Sequence, residues 1–179
     1  MKLTSSTTVL PPPPEVYAVW RDLARLPTFM THLDEVRETG PGRSHWRASA
    51  PFGQSVEWEA ETTVDEPGER IGWRSVGDAD IRNSGEVRFV PAPGDRGTEV
   101  HVTLSYDVPA GPLGRAVAKY FGEEPSQQLD DDLRRFKQVI ETGEVVRSDG
   151  APGGKQARHE FPQHPARPLS DQELAEVRS

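Results

Sequence analysis

The stretch Gly97–Val108 reads GTEVHVTLSYDV, and an amphipathic pattern from about Gly111 to Thr142 follows it at once. In the first part Val100, Val102, Leu104 and Tyr106 alternate with Glu99, His101, Thr103 and Ser105. That is the period of a strand with one buried face and one wet face. In the second part Leu113, Val117, Tyr120 and Phe121 form one apolar stripe, and Leu129, Leu133, Phe136 and Ile140 form another at helical spacing. A run of strands that ends in one long helix has to lay the helix's stripe on its own buried face. Gly122 and Pro125 fall between the two stripes. Proline removes a backbone donor and crowds the preceding turn, so a kink is expected near Glu123–Ser126.

Upstream, turn signals fall at Gly40-Pro41-Gly42, Pro51-Phe52-Gly53, Glu66-Pro67-Gly68, Gly77-Asp78 and Pro93-Gly94-Asp95. They divide Leu33–Val108 into about six strands joined by short turns, the pattern of an antiparallel meander. In Ser55–Val64 the residues Val56, Trp58, Ala60, Thr62 and Val64 share one face, and Glu57, Glu59 and Glu61 the other. Lys2–Leu10 is a further strand, stopped by Pro11–Pro14. Val16, Trp20 and Leu23 then predict a short helix from about Pro14 to Arg25. Pro27 interrupts it, and Thr28–His32 adds one more turn. The fold class is α+β: a curved antiparallel sheet of six to seven strands around a long, kinked C-terminal helix, with two short helices after the first strand.

The chain has 179 residues, a net charge of -8, no cysteine, 17 Pro and 16 Gly. An acidic chain without a cluster of Lys and Arg repels phosphate backbones, so no nucleic-acid partner is expected. Without cysteine there is no disulfide, thiolate metal site or Cys nucleophile, which fits a reducing compartment. No apolar run is long enough for membrane insertion and the start lacks an apolar signal region, so a cytoplasmic location is expected. Beyond Gly143 the periodicity fades into SDGAPGGKQARHEFPQHPARP. The expected division is therefore a ligand-binding domain over 1–144 and a Pro/Gly-rich, mostly disordered tail over 145–179, free to recruit a protein partner.

By parity the concave face presents Trp46, Trp58, Trp73, Val87, Phe89, Leu104 and Tyr106 toward Phe121, Leu129 and Phe136 of the helix. Any one of these would serve as ordinary core. As a set, three tryptophans on the face of a strongly bent sheet suit a cavity for a flat, largely apolar ligand, with Tyr106, the indole N–H groups, Thr62, Ser75 and Asn83 as polar tips. His32 falls where helix meets sheet, within reach of a cavity mouth. His45 and His101 point outward, and His159 and His164 fall in the tail, so no metal and no cofactor is expected. Glu57, Glu59 and Glu61 read as solvated surface. Asp130, Asp131 and Asp132 read as opening the second helical piece, where the positive end of the helix dipole favours carboxylates.

With EWEAETTVDEPGERIGWRS at Glu57–Ser75, GTEVHVTLSYDVP at Gly97–Pro109 and FGEEPSQQLDDDLRRFKQVIETGE at Phe121–Glu144, the chain resembles the START-like (SRPBCC) superfamily of helix-grip proteins. More narrowly, it is similar to the polyketide cyclase/dehydrase and coenzyme Q-binding START group over Leu3–Glu144. The resemblance implies a deep cavity between sheet and C-terminal helix. In the cyclases of that group an inward Arg and hydroxyl-bearing residues orient and enolise a poly-β-ketone. Here Arg47, Arg74 and Arg88 fall outward by parity, while Arg82, at a strand start, is placed to enter. The preferred expectation is binding of a polyketide, isoprenoid quinone or lipid as carrier or sensor. The alternatives are a polyketide aromatase/cyclase or dehydratase using Tyr106, Arg82 and His32, and a non-catalytic interaction module.

Overall fold

The computed structural model describes residues 1–50, 53–107, 111, 114 and 125–143. Strand β1 (Lys2–Val9) leads into helix α1 (Pro13–Arg21) and a 3-10 segment (Leu23–Thr28). Six strands follow: β2 (Leu33–Gly40), β3 (Arg43–Ala50), β4 (Gln54–Glu66), β5 (Arg70–Val76), β6 (Arg82–Pro91) and β7 (Thr98–Asp107). Helix α2 (Pro125–Thr142) comes last among the described elements. The sheet runs β1-β7-β6-β5-β4-β3-β2, with every neighbouring pair antiparallel. The first strand therefore closes on the last, and α2 lies against the buried face through Leu129, Leu133, Phe136 and Val139. This is the helix-grip arrangement.

The closure of β1 on β7 depends on Gly97. Its φ is 101°, and a Cβ there would sit 1.9 Å from the Val9 carbonyl oxygen, so only glycine allows the approach. The fully buried Thr98 then donates its hydroxyl to the Pro11 carbonyl at 2.7 Å. On the other side α2 covers β1: Lys137 Nζ donates to the Thr8 carbonyl at 2.5 Å, and the Leu10 N–H donates to Glu141 at 3.1 Å. These contacts occupy groups that an edge strand would otherwise leave open to another chain.

The first helix is shorter than its periodicity predicts. It ends at Arg21, and Leu23–Thr28 tightens into 3-10 turns through Pro27, so of the turn expected over Thr28–His32 only Thr28 is helical and the rest is a hydrogen-bonded turn closed by the Leu33 N–H on the Met30 carbonyl at 3.0 Å. Val16 and Trp20 are its buried side, and Arg21 ties it to the sheet through Glu38 at 2.6 Å and Asp65 at 2.9 Å. In β4 the alternation breaks between Thr62 and Val64, where Thr63 is an extra, bulged residue. Thr62, paired with Trp73 just ahead of the bulge, is exposed and offers no polar tip to the interior. The outer face of β3–β5 is an ion-pair surface: His45 meets Glu59 at 2.7 Å and Arg74 meets Glu61 at 2.5 Å. The run Asp130–Asp132 does not open a helix. It sits in the second turn of α2, because that helix already begins at Pro125. The earlier helical stripe ending at Phe121, the expected kink around Gly122 and the tail from Val145 lie outside the described residues.

Candidate functional site

Three strands bring three tryptophans together. Trp46 on β3 stacks on Trp58 of β4 with ring centroids 5.9 Å apart and planes 19° apart. It also stacks on Trp73 of β5 at 6.0 Å and 18°. Trp46 and Trp58 are directly opposed in the β3–β4 register, which explains the first contact. Trp73 is opposed by Gly85 on β6, and a Cβ at Gly85 would lie 2.3 Å from Cζ2 of the Trp73 ring. The missing side chain is the seat for the indole.

Beside this stack lies a cavity lined by Met30, Leu33, Val56, Ile81 and Leu104, together with the three tryptophans. It is narrow, with room for the centres of water molecules over about 40 Å³. That admits a few waters, so a drug-sized ligand enters only if the walls part. The apolar wall is interrupted at one end by His32, Asn83 and Tyr106.

The polar end is built on a buried carboxylate. Asp132, 1% exposed on α2, places Oδ2 3.1 Å from His32 Nδ1 and accepts a bond from Arg135 at 2.9 Å through Oδ1. The backbone of His32 is pinned by the Ser49 N–H, which donates to its carbonyl at 3.1 Å. The carboxylate beside Nδ1 fixes the side of the imidazole that faces α2. Burial, and secondly the nearby Asp132 charge, push the Tyr106 hydroxyl well above its usual value of 10. Tyr106 thus stays a neutral O–H donor at any physiological pH.

Of the residues proposed from sequence, the structure gathers Trp46, Trp58, Trp73, Leu104 and Tyr106 around the cavity. Val87, Phe89, Leu129 and Phe136 are inward and buried but belong to the packed core. Phe136 meets Trp20 at 5.3 Å and Phe29 at 5.0 Å, and Phe89 meets Tyr17 edge-on at 6.1 Å. Phe121 lies outside the described residues. Arg82 does not enter: it is exposed, and with Ser75, Asn83 and Asp107 it borders an open polar depression on the outer side. Ser75 Oγ accepts the Asn83 N–H at 3.0 Å. Sequence reasoning missed Asp132, although an acid three residues after Leu129 and four before Phe136 stands inside the helix's apolar stripe. Among the described residues no group of His, Asp and Glu side chains could hold a metal ion, and no helix is long and apolar enough to cross a membrane.

A seven-stranded antiparallel sheet closed on one helix defines the helix-grip class, and here the sheet's buried face and the segment Met30–Leu33 line an aromatic cavity. Within that class, residues 11–134 match the family described as polyketide cyclase/dehydrase and lipid transport, and the chain belongs to that family. It is 49% identical to DR_A0006 from Deinococcus radiodurans, covering 80% of this chain and 100% of that one at a TM-score of 0.66. An uncharacterized 17.2 kDa protein from the melC2-rnhH intergenic region of Streptomyces lincolnensis is 29% identical over 140 residues, 78% of this chain and 89% of its own. The ZhuI aromatase/cyclase of a Streptomyces species is 17% identical, covering 82% of this chain and 99% of that one at a TM-score of 0.57. At that identity the likeness shows the fold alone.

Proposed function

We propose that the chain binds a flat, largely apolar small molecule in the cavity between sheet and C-terminal helix, as a carrier or sensor of a polyketide, an isoprenoid quinone or a lipid. The observation that carries this reading is the stack of Trp46, Trp58 and Trp73 on the wall of an apolar cavity. Membership of a family described by cyclase, dehydrase and lipid-transport activities supports it. Aromatic faces gain from offset stacking with a flat partner beyond the area they bury. The narrow lumen implies that binding moves side chains.

A second reading, a polyketide aromatase/cyclase or dehydratase, is favoured by the His32–Asp132 pair at the cavity wall. A His oriented by a carboxylate can take a proton α to a carbonyl and return it to a departing hydroxyl as water leaves. Native mass spectrometry of the protein purified from its host, with organic extraction of what it holds, tests both readings. One bound apolar molecule is the result expected for carriage. A pair of bound molecules differing by one water favours catalysis, and a mass with nothing bound, even at high protein concentration, counts against both.

A further inference from the structure

We propose that Trp58 reads the ligand's polarity, its indole N–H donating a hydrogen bond to an acceptor oxygen, such as a ketone or quinone carbonyl, on the bound molecule. This rests on the ligand-binding reading above and narrows it to flat, acceptor-bearing molecules. The Trp58 Nε1 atom is shut off from solvent and meets no acceptor among the described residues, although the residue lines the cavity. A buried donor without a partner is costly, and an indole N–H can be satisfied only by an acceptor. Its stacking neighbour differs: the Trp46 N–H already donates to Ser44 Oγ at 2.9 Å. Two indoles of one stack thus divide their tasks, one closed by the protein and one left for whatever enters. Trp20 supplies an internal control. Its N–H also meets no acceptor among the described residues, but its ring is packed against Phe29 and Phe136, and Trp20 does not line the cavity.

The test compares naphthalene with 1,4-naphthoquinone, two flat probes of one outline that differ in the carbonyls, on the full chain and on Trp58→Phe. In the unaltered protein naphthoquinone binds more tightly. In Trp58→Phe the ratio of naphthoquinone to naphthalene affinity falls about 5- to 10-fold, the range of one hydrogen bond. In nitrogen-15 NMR spectra of the unaltered protein, the Trp58 indole N–H resonance moves downfield with naphthoquinone and not with naphthalene, while that of Trp20 stays put with both. An unchanged affinity ratio, or a Trp58 resonance that responds equally to both probes, overturns the proposal while leaving ligand binding intact. If neither probe binds, the ligand-binding reading falls and this inference with it. If Trp58→Phe does not fold, the NMR comparison on the unaltered chain decides alone.

Discussion

Gly85 shows how one missing side chain shapes a site. The Trp73 ring lies over it, with Cζ2 and Cε2 at 2.3 and 2.7 Å from where a Cβ would be, and Leu104 at 2.8 Å on the other side. Gly85→Ala must therefore push the indole off its seat and into the lumen. Overpacking of this kind costs roughly 1–3 kcal/mol. The expected outcome is a lower melting temperature together with loss of the circular-dichroism couplet that stacked indoles produce; an unchanged couplet would show that Trp73 is not held by the glycine. Parity in the sequence placed Trp46, Trp58 and Trp73 on one face, and they do share it. The same parity could not say how far along a strand the cavity extends. Val87 and Phe89 pair with Val102 and Val100 at the end of β6 near α1, whereas Gly85 and Asn83 pair with Leu104 and Tyr106 at the cavity end. The alternation is identical at both ends, and the difference comes from α1 and Tyr17 packing over one of them. Asp132 was hidden for another reason. In a run of three acids nothing local distinguishes the one that faces inward, and only its spacing from Leu129 and Phe136 betrays it.

At the scale of elements, the meeting of β7 with α2 sets the chemistry. Strand β7 carries Tyr106 to the cavity, and α2 brings the Asp132 carboxylate to the same end, so the phenol is held neutral by burial and by that charge. Its folded-state value stands above the value of about 10 that it has when unfolded. Below pH 10 both states keep the proton, and the stabilisation is fully present. Above it the unfolded chain releases the proton while the folded chain retains it, so stability falls as pH rises. Tyr17, whose hydroxyl donates to Asp65, is shifted in the same direction, mainly by burial, and contributes a share of the same slope. Tyr106→Phe should flatten the loss of stability between about pH 10 and 12, measured by urea unfolding at each pH, with the Tyr17 share remaining. An unaltered slope would mean that the phenol is as solvated in the folded protein as in the unfolded one. The order of strands followed by a helix was readable from alternation and apolar stripes because both are set by the local backbone period. The early end of α1 and the bulge at Thr63 were not, since each is imposed by packing against a neighbouring element.

For the whole molecule, the question is where the folding unit stops. Every side chain of the buried core among the described residues comes from Val9–Val139. The last helix is finished locally: the Gly143 N–H donates to the Val139 carbonyl at 2.9 Å, and Gly143 takes a φ of +74°, the left-handed conformation that ends helices. The residues that follow carry a composition of Gly, Pro and charge with little to bury, which favours a domain boundary near Glu144. A chain stopped after Glu144 should accordingly melt within about 2 °C of the full chain, since a loss of even 1 kcal/mol would shift a domain of this size by more. It should also retain the affinity for naphthoquinone that the cavity provides. A fall in melting temperature well beyond that margin would place part of 145–179 on the domain, and a loss of probe binding at unchanged stability would assign the segment to the cavity itself.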